Sequence, residues 1–253
     1  SAAGAPTEAP KWWAARASAA ASSSLDRSSR TVSTTSASFA DAAAAAAAAA
    51  PSDGEERAAA EMRALLLGGG VAATRSLTMH SLNKSPLDGP ATRGSQARVR
   101  EEIMRTDEHG IIQQTWREAG GSQLELRQWE PCPGGGVMLT VTMMLRLKPR
   151  PMAPKQTRVV LVYHLPDESE GDLVLTELSR SLDVPYKDSF EVWAQQTFSI
   201  TDGTLAIATS LGVRWRGRCM VKSLVEKASR EEGGENHHRW AAKANAALTQ
   251  PAV

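Results

Sequence analysis

From Phe190 to Ile200 the even positions, Phe190, Val192, Ala194, Gln196, Phe198 and Ile200, make one face, and the odd positions, Glu191, Trp193, Gln195, Thr197 and Ser199, make the other. A period of two with one oily face predicts a strand. After Thr201-Asp202-Gly203 the alternation resumes as Leu205, Ile207, Thr209, Leu211, Val213 and Trp215, so the two runs predict an antiparallel hairpin. Pro185 cannot donate to a ladder and predicts a bend ahead of the first of these strands. Upstream, Val137, Leu139, Val141, Met143, Leu145 and Leu147 alternate in the same way, and further strands are expected over 157–165 and 173–178. Helical spacing of Ile111, Ile112, Thr115, Trp116 and Ala119 predicts an amphipathic helix that stops at Gly120-Gly121, with a short strand following over 124–129. A short helix is expected in 94–104. The last element begins near Cys219 and carries Val221, Leu224, Val225, Ala228, Trp240, Ala244, Ala247 and Leu248, with Gly233-Gly234 expected to kink or break it.

Composition divides the 253 residues unequally. The first 95 contain nine consecutive alanines, Ala42 to Ala50, and Ser/Thr-rich tracts, with few large apolar residues beyond Trp12, Trp13 and Leu65 to Leu67. Such a stretch buries too little surface to offset its ordering entropy. Residues 1–95 are therefore read as a disordered, low-complexity Ala/Ser-rich tail with a short helix at 55–67, and 96–253 as the folded domain. The tail is a place where protein partners could be recruited. Residues 1–95 hold nine Lys/Arg and eight Asp/Glu, leaving twenty of each of the chain's 29 and 28 for the rest. Neither part has the bulk charge that recruits nucleic acid. Two cysteines, Cys132 and Cys219, imply separate reduced thiols in a cytosolic protein rather than a disulfide scaffold. No run of about 18 apolar residues spans a bilayer. The chain starts at Ser1 and reads as an interior tract of a longer protein, with any membrane anchor outside it.

Certain short motifs carry a resemblance. Asp183-Val184-Pro185-Tyr186 is followed by Phe190, by a strand pair closing on Val213-Arg214-Trp215, and by a long helix with Trp240. Gly121 to Trp129 supplies a glycine, a short strand and a tryptophan, and Pro149, Pro154, Lys155 and Thr157 supply a proline-rich turn. Together these resemble a VASt domain over roughly residues 105–250. Ala153 stands where that family usually has glycine. The resemblance implies an α+β, START-like helix-grip fold, in which a curved antiparallel sheet wraps a long C-terminal helix and forms a cup for a sterol-like lipid.

Candidate chemistry changes this picture little. His80, His109 and His164 fall in unrelated contexts, and adjacent His237 and His238 point about 100° apart on a helix, so they do not form a chelating i, i+4 pair. Gly134-Gly135-Gly136 lacks the Lys-Ser/Thr of a phosphate loop and precedes a strand. No catalytic residue, metal or cofactor is expected. A hydrolase or cyclase on this fold would need a buried charged pair inside the cup, which the strand faces do not offer. The candidate lipid-binding residues are Leu139, Val141, Met143, Val192, Ala194, Phe198, Ile207, Thr209 and Val213, a set that periodicity alone cannot separate from an ordinary core. Lys148, Arg150 and Lys155 around Met152 are expected to form a loop that meets an anionic membrane surface. The function expected is binding and transfer of a sterol-like lipid by a cytoplasmic, peripherally membrane-associated domain. The alternative is a non-catalytic regulatory or interaction module with a closed core.

Overall fold

A computed structural model describes residues 52–75, 77–149, 153–167 and 171–249, with the backbone alone for 69–75. These residues lie within one compact unit, Ala47–Val253. In chain order the elements are helix α1 (Asp53–Arg75), strand β1 (His80–Pro90), helices α2 (Arg93–Met104) and α3 (Ile111–Glu118), and strands β2 (Gly121–Leu126), β3 (Glu130–Pro131), β4 (Val137–Arg146), β5 (Gln156–Leu165) and β6 (Leu173–Ser181). A 3-10 turn (Lys187–Ser189) leads into β7 (Phe190–Thr201), β8 (Thr204–Trp215) and the 28-residue helix α4 (Lys222–Thr249).

The strands form one antiparallel sheet in the order β1-β8-β7-β6-β5-β4-β2, with β3 beside β2 on β4. The β7–β8 hairpin pairs Phe190 with Trp215 through to Thr201 with Thr204. Asp202 (φ 50°) and Gly203 (φ 72°) supply the two left-handed positions of its tight turn. Pro185 sits in the bend before β7, where Tyr186 takes φ 63°. The wrapped sheet and long C-terminal helix expected of a helix-grip fold are therefore present.

Two expectations are corrected. The folded unit does not begin at 96: helix 55–67 extends to 53–75, and β1, inside the stretch read as tail, is an edge strand paired to β8. Pro86, Gly89 and Pro90 hide β1 from any alternation rule, and only an edge tolerates them. The reading of residues 1–51 lies outside the described residues. Helix α4 runs without a break through Gly233-Gly234. A Cβ at Gly233 would stand 2.7 Å from Leu211 Cδ1 and 2.8 Å from Leu82 Cδ1, so that glycine serves close packing of helix on sheet.

The outer face of β7, which carries the odd positions, is covered as well. Helix α1 covers it. Ala58, Ala59, Met62 and Leu66 pack on Met138, Val160, Val162, Leu178, Leu182 and Trp193 in a core separate from that of the concave face. Charge pins the helix there. Fully buried Glu191 accepts from Arg180 (2.6 Å) and pairs with Arg216 (2.5 Å), while Glu61 of α1 accepts from the other nitrogens of the same two arginines at 2.9 and 3.2 Å. Arg127 pairs with Glu56, and Arg63 with Glu130 at 2.6 Å. The sum is two carboxylates gripping two arginines across a helix–sheet interface.

Removing one member leaves its partners buried without compensation, which costs about 3–5 kcal/mol. Glu191→Gln should therefore lower the melting temperature strongly. Hydrogen bonds from Arg180, Arg57 and Arg216 hold Glu61 down at a pKa of about 2 against an ordinary 4.5. Its contribution is complete above about pH 4.5 and fades as pH falls toward 2. Thermal melts of Glu61→Gln should show a smaller loss than Glu191→Gln at neutral pH, because Glu61 is partly solvated, and less sensitivity to acid in that window.

Candidate functional site

The concave face is built from odd positions of β1, β4, β5, β6 and β8, from even positions of β7, and from one side of α4. All nine candidate lipid-binding residues lie on it. Leu139, Val141, Phe198 and Ile207 are fully buried, and Met143 and Thr209 are nearly so. The apolar members pack in one cluster with Ile103, Ile112, Leu161, Leu175, Trp240 and Ala244. The deep part of the cup is thus occupied by side chains.

Toward the other end, Val192 and Val213 are only half-buried. There a groove of about 360 Å³ opens between β8, the segment leading into β1, and the N-terminal half of α4. Leu77, Leu211, Val213 and Trp215 form its apolar walls, and His80, Arg214, Glu226 and Arg230 its polar rim. Trp215 Nε1 donates to Glu226 at 3.2 Å, tying wall to helix. Of the residues singled out from the sequence, Val213 and Trp215 of the Val213-Arg214-Trp215 motif reach the groove, while Leu211 is legible only as a strand position. A shallower depression of about 460 Å³ over 182–189 is bounded mostly by exposed loop residues and lies off the concave face.

The β4–β5 loop lies at the same end as the groove. Leu147 N donates to Lys155 O at 2.9 Å, and Asp183 N to Thr157 Oγ1 at 3.1 Å, which places this loop beside the β6–β7 bend. Lys148 forms an ion pair with Glu235 of α4. Lys155 is exposed, while Arg150 and Met152 lie outside the described residues.

A band of polar groups crosses the buried concave face. Trp116 Nε1 donates to Tyr163 Oη at 2.6 Å, and Tyr163 is hydrogen-bonded to Glu177. Register places Glu177 opposite Ala194, and Gln196 opposite Thr209. His237 of α4 completes the band, sharing hydrogen bonds with Thr209 Oγ1 (2.9 Å, through Nδ1) and Ser85 Oγ (2.8 Å, through Nε2). Glu177 Oε2, Gln196 Oε1 and Trp240 Nε1 are buried and find no hydrogen-bond partner among the described residues. An acid on β6 and a histidine on α4 therefore face inward. Glu177 is legible as a polar residue between Leu175 and Leu178, and a carboxylate inside an oily alternation is its signal. His237 gave none, because its partners are 152 and 28 residues away in sequence.

Burial raises the Glu177 carboxyl to about 7 and lifts the Tyr163 phenol well above its usual value. Burial pulls His237 below its ordinary value, aided by His238. Below about pH 7 the band thus favours uncharged forms, which suits hydrogen bonding to a neutral polar group.

A family model described as "VAD1 Analog of StAR-related lipid transfer domain" (VASt) matches residues 99–232, more than half of the chain. A comparison with curated proteins finds no match. Solved structures similar to the chain include Ara h 8.0201, at 10% identity and TM-score 0.42 over 67% of this chain and 99% of that one. They also include TTHA0849 from Thermus thermophilus (12%, 0.42, 68% and 100%) and ginseng major latex-like protein 151 from Panax ginseng (8%, 0.39, 69% and 99%).

Because the folded-state pKa of Glu177 lies above its ordinary 4.5, the stability linked to this group is complete below about pH 4.5 and is lost as pH rises through about 7. Glu177→Gln should remove that loss. Its melting temperature is expected to exceed that of the unsubstituted protein above pH 7, with the difference closing toward pH 4.5 in a pH series of thermal melts.

Proposed function

This chain belongs to the VASt family, and we propose that its cup binds a sterol-like lipid and carries it between membrane surfaces. The observation that carries the reading is the groove of about 360 Å³ at the mouth, whose apolar walls Leu211, Val213 and Trp215 continue the concave face. Its volume lies above the ~300 Å³ at which small-molecule pockets begin. Supporting the choice of a lipid with a single polar group is the band of Glu177, Gln196, Thr209 and His237 within apolar walls: a hydroxyl would find acceptors there, whereas an anionic headgroup would find no cation and a cationic one only a carboxyl that is half-ionised near neutrality. The apolar body of the ligand would lie against Val213, Ala194 and Val192, with Leu139, Val141, Met143, Phe198, Ile207 and Thr209 lining the deeper path that side-chain movement opens. No chemistry on the ligand is needed, since shielding it from water is sufficient for carriage.

The mouth would be gated by the β4–β5 loop, clasped to α4 by Lys148 and Glu235. Among the described residues no helix is long and apolar enough to cross a membrane, and the proposal places the domain at membrane surfaces peripherally. A second reading, a regulatory module without ligand, is favoured by the fully buried deep residues of the cup.

The two readings separate in one experiment. The full chain is equilibrated with a fluorescent sterol, delivered first from cyclodextrin and then from liposomes. Saturable uptake and extraction are expected, and Val213→Trp, which fills the groove, should weaken uptake at least tenfold at an unchanged melting temperature. Absence of uptake by the unsubstituted chain would sink the carrier reading and leave the regulatory one. The exposed Lys148–Glu235 pair is worth about 0–1 kcal/mol, so Lys148→Ala should speed ligand release in stopped-flow by no more than roughly fivefold.

A further inference from the structure

The loop joining β8 to α4 presents an unusual pairing of chemistry. Met220 is 88% exposed, the most of any large hydrophobic residue described, and Leu224, one helical turn on, is 42% exposed. Between Gly203 and Val225 the sequence contains no carboxylate, while Arg214, Arg216, Arg218 and Lys222 fall within nine residues. Val225 N donates to Val221 O at 3.0 Å, so the first turn of α4 begins at this loop and sets Met220 and Leu224 on neighbouring turns. Arg218 and Lys222 are exposed, and Lys222 Nζ lies 5.0 Å from the centre of the Trp215 ring. Arg216 is spent on Glu191 and Glu61 beneath α1.

The surface continues onto the β6–β7 bend. Arg216 N donates to Ser189 O at 2.8 Å, joining the two loops, and exposed Tyr186 and Lys187 lie on the second, together with the carboxylate of Asp188. One apolar side chain standing clear of a cluster of cations is unfavourable in water. It suits an interface where a hydrocarbon layer lies beneath anionic headgroups.

We propose that the segment from Arg214 to Leu224 is the docking surface for an anionic lipid bilayer. Met220 and Leu224 enter the headgroup–acyl boundary, and Arg218 and Lys222 meet the anionic headgroups, assisted by Lys187. Trp215, in the wall of the groove, lies within this segment, so the groove empties beside the inserted methionine; this last point rests on the lipid-carrier reading, whereas the docking itself does not. The assignment places membrane attachment on the β8–α4 loop rather than on the β4–β5 loop, whose Lys148 is held by Glu235.

The test is flotation of the full chain with vesicles of phosphatidylcholine alone or containing phosphatidylserine, at low and high salt, beside sterol uptake from cyclodextrin without membranes. Binding is expected on the serine-containing vesicles and should fall with salt. Met220→Ser should weaken it roughly tenfold, and Arg218→Ala with Lys222→Ala roughly fivefold per cation. Lys155→Ala should have little effect, and every variant should keep its melting temperature and its cyclodextrin-delivered uptake. Vesicle affinity unmoved by Met220→Ser and by the double variant would overturn the proposal and hand the patch to a protein partner. Absence of vesicle binding by the unsubstituted chain would overturn it too. Loss of sterol uptake with Met220-dependent vesicle binding intact would instead defeat the carrier reading and leave the docking surface standing.

Discussion

Helix α4 can lie inside the sheet only where its backbone comes within side-chain contact of β1 and β8, and Gly233 and Gly89 make that approach available. A Cβ at Gly89 would stand 2.7 Å from Leu248 Cδ1, much as one at Gly233 would meet Leu211 and Leu82. Between these contacts His237 bridges Ser85 and Thr209, so the helix is held to both strands by one ring whose two nitrogens each meet a hydroxyl. This close packing has a direct consequence for the cup. The C-terminal half of α4, with Trp240, Ala241, Ala244 and Ala247, fills the deep end. The N-terminal half, carrying Glu226 and Arg230, leaves the groove along β8 open.

Both faces of the sheet are covered, by different physics. On the concave side the contacts are mostly apolar and the polar minority tends to neutral forms. On the convex side α1 is a marginal helix by its own residues, since its apolar surface is small and alanine-rich, and the Glu61–Arg180–Glu191–Arg216 cluster supplies what packing alone would not. Buried ion pairs of this kind contribute geometry as much as energy, because each charge is costly unless its partner stands in place. The helix is thereby registered on the sheet, and Arg216 is withdrawn from the basic segment at the mouth, leaving Arg218 and Lys222 as its outward cations.

Those two facts shape one end of the domain. The groove, the β4–β5 loop, the β6–β7 bend and the β8–α4 loop all gather at one end of the molecule, since antiparallel strands return alternate connections to the same edge. An open wall, the Lys148–Glu235 ion pair and a protruding methionine thus share one end, the end at which the proposed exchange of an apolar ligand would take place.

Strands β4, β5, β7 and β8, the hairpin turn, the amphipathic α3 and the final helix were legible because each is encoded locally, by a period of two or 3.6 over enough residues to be unambiguous. The Asp183–Phe190 stretch likewise announced its bend through Pro185, and the family resemblance followed from such local marks. Strand β1 was not legible, because an edge strand with two prolines owes its conformation to β8 rather than to its own pattern. The kink expected at Gly233-Gly234 failed for a related reason: a glycine in a helix signals either flexibility or close approach, and only the neighbour across the gap decides which. Alternation told which residues share a face but not what lies over it. The sequence by itself thus determined the strands, their faces and the helix that closes them. Tertiary structure alone decided that Glu191 and Trp193 would be buried under α1, that Glu177 and His237 would face the cup, and that the open space would lie at Leu211 to Trp215, because each depends on contacts between segments tens of residues apart whose closeness no local period encodes.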